Sequence, residues 1–142
     1  MFRNNELLEK QERIMHQRDM EKFAFLYLCG QRDREILAGT ERMTFEDFDR
    51  LAYITDFLGF EQMSLAIWNQ FSPQFTEQFQ AIERILEENC RDMELRVYED
   101  DLRLYDRWLA QFCADAPDRE SQEYLAEVMN LLMEERNEKI AG

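Results

Sequence analysis

Between Pro73 and Pro117 the chain carries neither glycine nor proline, and only four Gly and two Pro occur in all 142 residues. Sheet folds reverse direction often and place these residues at their turns, so the shortage predicts helices joined by few loops. Glu, Gln, Arg, Leu, Met and Ala dominate the sequence, and all are good helix formers. A chain of this length suits one domain. It buries roughly 68–70% of the surface its unfolded form exposes, enough to enclose a core drawn from 45% apolar residues. The expected fold is all-α: a single domain, 1–142, of about five to seven helices, with a charge-neutral helical arm at its N-terminus.

Punctuation along the chain places the helices. Residues 3–29 read as helix with a joint near Gln17–Asp19. Its apolar positions Leu7, Leu8, Ile14 and Met15 are sparse, which marks a partly exposed arm. The run Phe23–Cys29 is denser, and its helical flanks favour helix over strand. A short helix over Asp33–Ala38 stops at Gly39, a C′ position that needs a left-handed backbone. Thr44 is a good N-cap, followed by Glu46 and Asp47 where the helix dipole favours negative charge. Gly59 ends that helix. Residues 60–71 form the next, with Phe60, Met63, Ile67 and Phe71 on one stripe that Leu65, Ala66 and Trp68 widen. Ser72-Pro73 reads as N-cap and N1 of a further helix. Continuous helix from there to Ala116 would be about 60 Å long, so a break is expected near Asn89–Leu95. Asp115-Ala-Pro117-Asp118 stops one helix and starts the last, which frays after Arg136.

Charge divides the molecule unevenly. Residues 1–43 hold eight basic and eight acidic side chains, while residues 44–142 hold nine and 23, so the whole net charge of −14 lies after Met43. That field repels nucleic acid and anionic membrane and attracts basic surfaces. With 18 aromatic residues the acidic part is a folded body rather than a solvated tail. The three cysteines, Cys29, Cys90 and Cys113, are odd in number and widely spaced, which reads as reduced thiols. The N-terminus has no apolar signal region, and the longest apolar run, Phe23–Cys29, is far short of a membrane span. A cytoplasmic protein is the expectation.

The usual catalytic constellations are not legible. One histidine, His16, cannot form a two-histidine metal site. The glycines are isolated, so there is no phosphate-cradling loop. Thr44, Ser72 and Ser121 read as caps, and the thiols read as core residues. The carboxylates of 83–101 could hold Mg²⁺ only if paired at helical spacing. No Glu-x-x-Glu occurs there, and i,i+4 arginines accompany them: Arg84–Glu88, Glu87–Arg91, Asp92–Arg96, Arg96–Asp100 and Glu99–Arg103. That pattern describes a solvated, self-neutralised face.

Contact with other proteins is the best-supported expectation. Eleven Phe, five Tyr, two Trp and eight Met exceed what a core of this size comfortably encloses, and such residues are enriched in interface cores. The expected partner-binding patch is Phe60, Met63, Ile67, Trp68, Phe71 and Phe75, used by an adaptor, chaperone, immunity or inhibitor protein, or regulatory subunit. A homodimer without metal or cofactor is expected. The second reading is an acidic nucleic-acid mimic that inhibits a basic DNA- or RNA-binding protein, with Glu99, Asp100 and Asp101 as its least diluted acidic surface. The third is a Mg²⁺-dependent all-α nucleotide hydrolase.

Overall fold

A computed structural model describes the backbone of residues 2–88 and 91–141, and the side chains of residues 5–85, 87–88 and 102–139. Among the described residues the chain forms seven α-helices, one 3₁₀ turn and no strand. In order they are α1 (Phe2–Leu28), α2 (Gln31–Ala38), α3 (Phe45–Phe57), α4 (Glu61–Phe71), the 3₁₀ turn Ser72–Phe75, α5 (Thr76–Glu88), α6 (Arg91–Asp115) and α7 (Arg119–Ala141). The all-α bundle is as expected. None of the described helices is long and apolar enough to cross a membrane.

Local chemistry sets several boundaries as the sequence implies. Gly39 and Gly59 sit at φ +82° and +83°, a left-handed conformation that costs glycine nothing. Beyond them Thr40 N–H reaches Glu35 O at 2.9 Å and Phe60 N–H reaches Thr55 O at 2.8 Å. These bonds satisfy carbonyls that α2 and α3 would otherwise leave bare. Thr44 caps α3 in both directions: Asp47 N–H donates to Thr44 Oγ1, and Thr44 N–H donates to Asp47 Oδ2, each at 3.0 Å. This is a capping box closed by aspartate.

Other boundaries differ from expectation. α1 runs through Gln17–Asp19 without a joint, because nothing there removes a hydrogen bond or adds a kink. Ser72 is not an N-cap. It stays in the right-handed helical region at φ −56°, ψ −34°, so the chain passes from α4 through the 3₁₀ turn into α5 without the extended step that a cap requires. Asp118, not Ser121, caps α7 by accepting the Ser121 N–H at 2.7 Å. α7 continues to Ala141 rather than fraying after Arg136. Of the expected break near Asn89–Leu95, residues 89–90 lie outside the described residues; α5 ends at Glu88 and α6 starts at Arg91.

The core lies where α3 packs on α4, α4 on the C-terminal half of α1, and α6 on both α3 and α7. Phe25, Phe48, Leu51, Ile54, Leu109, Phe112 and Leu125 are almost fully buried. Phe25 stacks on Phe112 with centroids 5.4 Å apart, and Phe60 meets it edge-on at 6.0 Å. A second aromatic group joins Phe45, Phe48, Trp68, Phe75 and Phe79 at 4.9–6.4 Å. Offset and edge geometries of this kind add to the area they bury.

Candidate interaction surface

The expected partner patch is largely core. Met63, Ile67, Phe71 and Phe75 are buried within the chain, and Phe60 is partly covered by Phe25. Trp68 remains 42% exposed and Leu65 55%, but Trp68 already packs on Phe48 and Phe79. The correction has a plain cause. α4 lies between α1 and α3, and a helix with neighbours on two sides buries a wide apolar stripe. Glu99, Asp100 and Asp101 fall within α6, and their side chains lie outside the described residues.

The exposed apolar surface is carried instead by α1. Every residue from Asn5 to Met20 is exposed, including Leu7, Leu8, Ile14 and Met15. At 100° per residue, Leu7, Ile14 and Phe25 fall within about 20° of one another around the helix. The side that seats α1 on the body through Phe25 and Leu28 therefore continues, uncovered, beyond it. Glu21 stands at the boundary. It is buried and accepts the Gln62 N–H at 2.9 Å, which caps α4 from another helix because Phe60 at its N-cap has no side chain able to do so.

A second exposed set lies on the opposite side of α1. Phe23 is 76% exposed, Tyr27 58%, and Tyr124 of α7 56%. With Phe60 they line a groove of about 510 Å³ whose polar edge is Glu120 and Ser121. The sequence marks the first set as an exposed arm, and the residues from Asn5 to Met20 are exposed; it does not announce the second set, which needs α7 to bring Tyr124 beside α1. The repeat of an apolar pair, Leu7-Leu8 and Ile14-Met15, one heptad apart, gives the first set a common side.

A third feature is a polar cleft of about 610 Å³ between the N-termini of α2 and α3 and the C-terminus of α6. Arg50 grips Asp33 with two bonds of 2.9 and 2.6 Å, and Arg32 grips Asp47 with two of 2.9 and 3.0 Å. Arg50 also reaches Asp47 at 3.4 Å. Burial raises the Asp47 carboxyl, but bonds from Arg32 and Thr44 outweigh it and hold the group well below the usual carboxylate range. Burial likewise opposes the charge on Arg50, and Asp33 and Asp47 more than restore it. These groups satisfy one another, so the cluster acts as a brace between α2 and α3. Gly30 lies at its base, where an added Cβ would stand 2.7 Å from the backbone oxygen of Asp115.

The remaining chemical candidates are quiet. Burial pushes the Cys29 thiol far up, with Asp33 adding to the effect, so it is held protonated. Cys113 also rises through burial and donates from Sγ to Gln122 O at 3.3 Å. Cys90 lies outside the described residues. His16 is exposed on the α1 arm. Arg84, expected to pair with Glu88, donates from Nε to Gln80 O at 3.4 Å. Among the described residues no group of three or more His, Cys, Asp and Glu gathers as a metal site. No protein-family model, curated protein or solved structure matches the chain.

Proposed function

We propose that this protein works by protein–protein contact rather than by catalysis, through the sides of α1 that its own body leaves uncovered. The supporting observation is the exposure of seven large apolar side chains along one helix: Leu7, Leu8, Ile14, Met15, Met20, Phe23 and Tyr27. Single exposed apolar residues need no explanation, but contiguous sets mark interaction sites. The aromatic groove formed by Phe23, Tyr27 and Tyr124 is the surface for a heterologous partner, since aromatic side chains dominate binding energy at such sites. The net charge of −14 favours a partner with a basic surface and predicts that salt weakens the complex.

The test is capture from an extract of the source cell, comparing the wild-type chain with a Phe23→Ala/Tyr124→Ala variant. Both side chains are exposed, so the variant keeps its helical circular dichroism. Partners bound by the wild type are expected to disappear from the variant. An identical captured set from both chains refutes the groove as the contact surface.

A further inference from the structure

We infer that the occupant of the Phe23–Tyr27 surface is an amphipathic helix of another protein, with basic side chains along one flank of its apolar stripe and acidic side chains along the other. This rests on the reading of α1 as the contact surface and names the chemistry of the partner there. Phe23 and Tyr27 form a ridge with a groove on each side. On the α7 side, the groove already described runs over Ala24, Leu28 and Phe60 to Tyr124 and Glu120. On the α2 side, a groove of about 560 Å³ runs over Leu26, Leu37 and Ala38, with Lys22 and Arg34 at its edge. Helical geometry puts the ridge between them. Counted from Phe23 at about 100° per residue, Ala24 and Leu28 turn to one side, Lys22 and Leu26 to the other.

The two edges carry opposite charge. Among the described residues no basic side chain lines the α7 groove and no acidic one lines the α2 groove. Lys22 and Glu120 are both exposed. Their charged neighbours are already matched: Asp19 pairs with Arg18 at 3.5 Å, and Glu123 with Arg119 at 3.1 Å. Arg34 donates from Nε to Leu26 O at 2.9 Å and from Nη2 to Tyr27 O at 3.2 Å, which fixes a positive charge at the C-terminal end of the ridge. α7 continues the acidic edge, because Glu127 is exposed and falls within about 20° of Glu120 around the helix.

The mode of recognition follows from the walls. Among the described residues there is no strand, and so no sheet edge that an extended segment could join. An amphipathic helix laid into an apolar groove is the mode that a helical surface offers. Such a helix is about 10–12 Å across, so its apolar stripe sits on the ridge and its flanks lie over the two edges. An acidic flank over Lys22 and a basic flank over Glu120 both attract. A helix basic on both flanks meets Lys22 with like charge. The net charge of −14 draws basic partners to the molecule as a whole. The polarity of the ridge then selects among them and sets the direction in which the bound helix runs, since turning it end for end exchanges its flanks.

Two fluorescein-labelled synthetic helices of about five turns, each with one apolar stripe, are the probes: one with an arginine flank and a glutamate flank, the other with arginine on both. Fluorescence anisotropy reads their binding to the full chain at physiological salt, where screening over about 8 Å leaves nearby charges to discriminate. The wild-type chain is expected to bind the mixed-flank helix, and Phe23→Ala to lose both helices. Lys22→Glu should weaken the mixed-flank helix and strengthen the all-arginine one, each by about two- to fivefold, the range for an exposed ion pair. Glu120→Lys should weaken both. Lys139→Glu, the same change of charge in the last turn of α7, should change neither. All four positions are exposed, so the variants should keep their circular dichroism. A wild-type chain that binds no mixed-flank helix up to about 1 mM overturns the proposal, as does a Lys22→Glu chain that behaves like Lys139→Glu. Sedimentation of the peptide-free chain supplies a further arm: self-association lost in Phe23→Ala would assign the ridge to a second copy and overturn it too. Each of these failures leaves the capture comparison to stand or fall by itself, because capture asks whether the groove holds a protein and not what charge that protein presents.

Discussion

Replacing Asp47 by alanine removes the residue on which the α2–α3 brace converges. Asp47 accepts from Thr44 N–H and closes the capping box of α3, and it holds Arg32 with two bonds. The Thr44 hydroxyl still accepts the residue 47 N–H, so what the cap loses is the one bond from Thr44 N–H, worth about 1 kcal/mol. The Arg32 side chain is 54% exposed, so its pair adds at most about 1 kcal/mol after solvent screening. Arg50 keeps its bidentate bond to Asp33 and contributes little to the difference. The sum is a loss of about 2 kcal/mol, which lowers the thermal midpoint by about 4–8 °C for a domain near this size.

The same substitution carries a pH signature. The folded state holds the Asp47 carboxyl below its ordinary value, near 3.9 in an unfolded chain. Its stabilisation is therefore complete above about pH 4 and drains away as pH falls below that value toward the folded one. The gap between wild type and Asp47→Ala should narrow by about 1 kcal/mol between pH 6 and pH 3, since each unit below the unfolded value is worth about 1.4 kcal/mol. Urea unfolding followed by circular dichroism at both pH values measures it. A gap under about 0.5 kcal/mol at pH 6, within the range of an ordinary surface change, would refute the assignment. So would a gap that stays constant to pH 3.

Three further outcomes follow from the packing. Gly30→Ala should destabilise by about 1–3 kcal/mol, the range for forcing an extra carbon into a filled site, because its Cβ meets backbone of Asp115 rather than a movable side chain; thermal unfolding would show it, and an unchanged midpoint would mean that the α6 terminus yields freely. Phe25→Ala should cost about 3–5 kcal/mol, since it removes the ring that joins Phe60 to Phe112; chemical denaturation measures this, and a loss near zero would place Phe25 outside the core. Cys29 should resist iodoacetamide in the folded protein at pH 8 and react once urea unfolds it, because burial keeps its thiol protonated; peptide mass spectrometry reads the modification, and rapid native labelling would contradict the burial.

The sequence by itself determined what depends on a few adjacent residues. The scarcity of Gly and Pro required helices. Gly39 and Gly59 marked two helix ends because only glycine takes a left-handed backbone without cost. Thr44 with Asp47 marked a helix start because the cap closes within one turn. The tertiary structure decided what depends on cover. Periodicity shows which side of a helix is apolar, but not which segment lies against it. The Phe60–Phe75 stripe therefore read as a surface and proved largely core, with Trp68 still half-exposed, once α1 and α3 packed against α4. Leu7 and Ile14 repeat the helical phase of Phe25, yet they are bare because the body ends at Glu21. The bond from Glu21 to Gln62 spans 41 positions of sequence, and no local pattern announces a cap supplied from so far away.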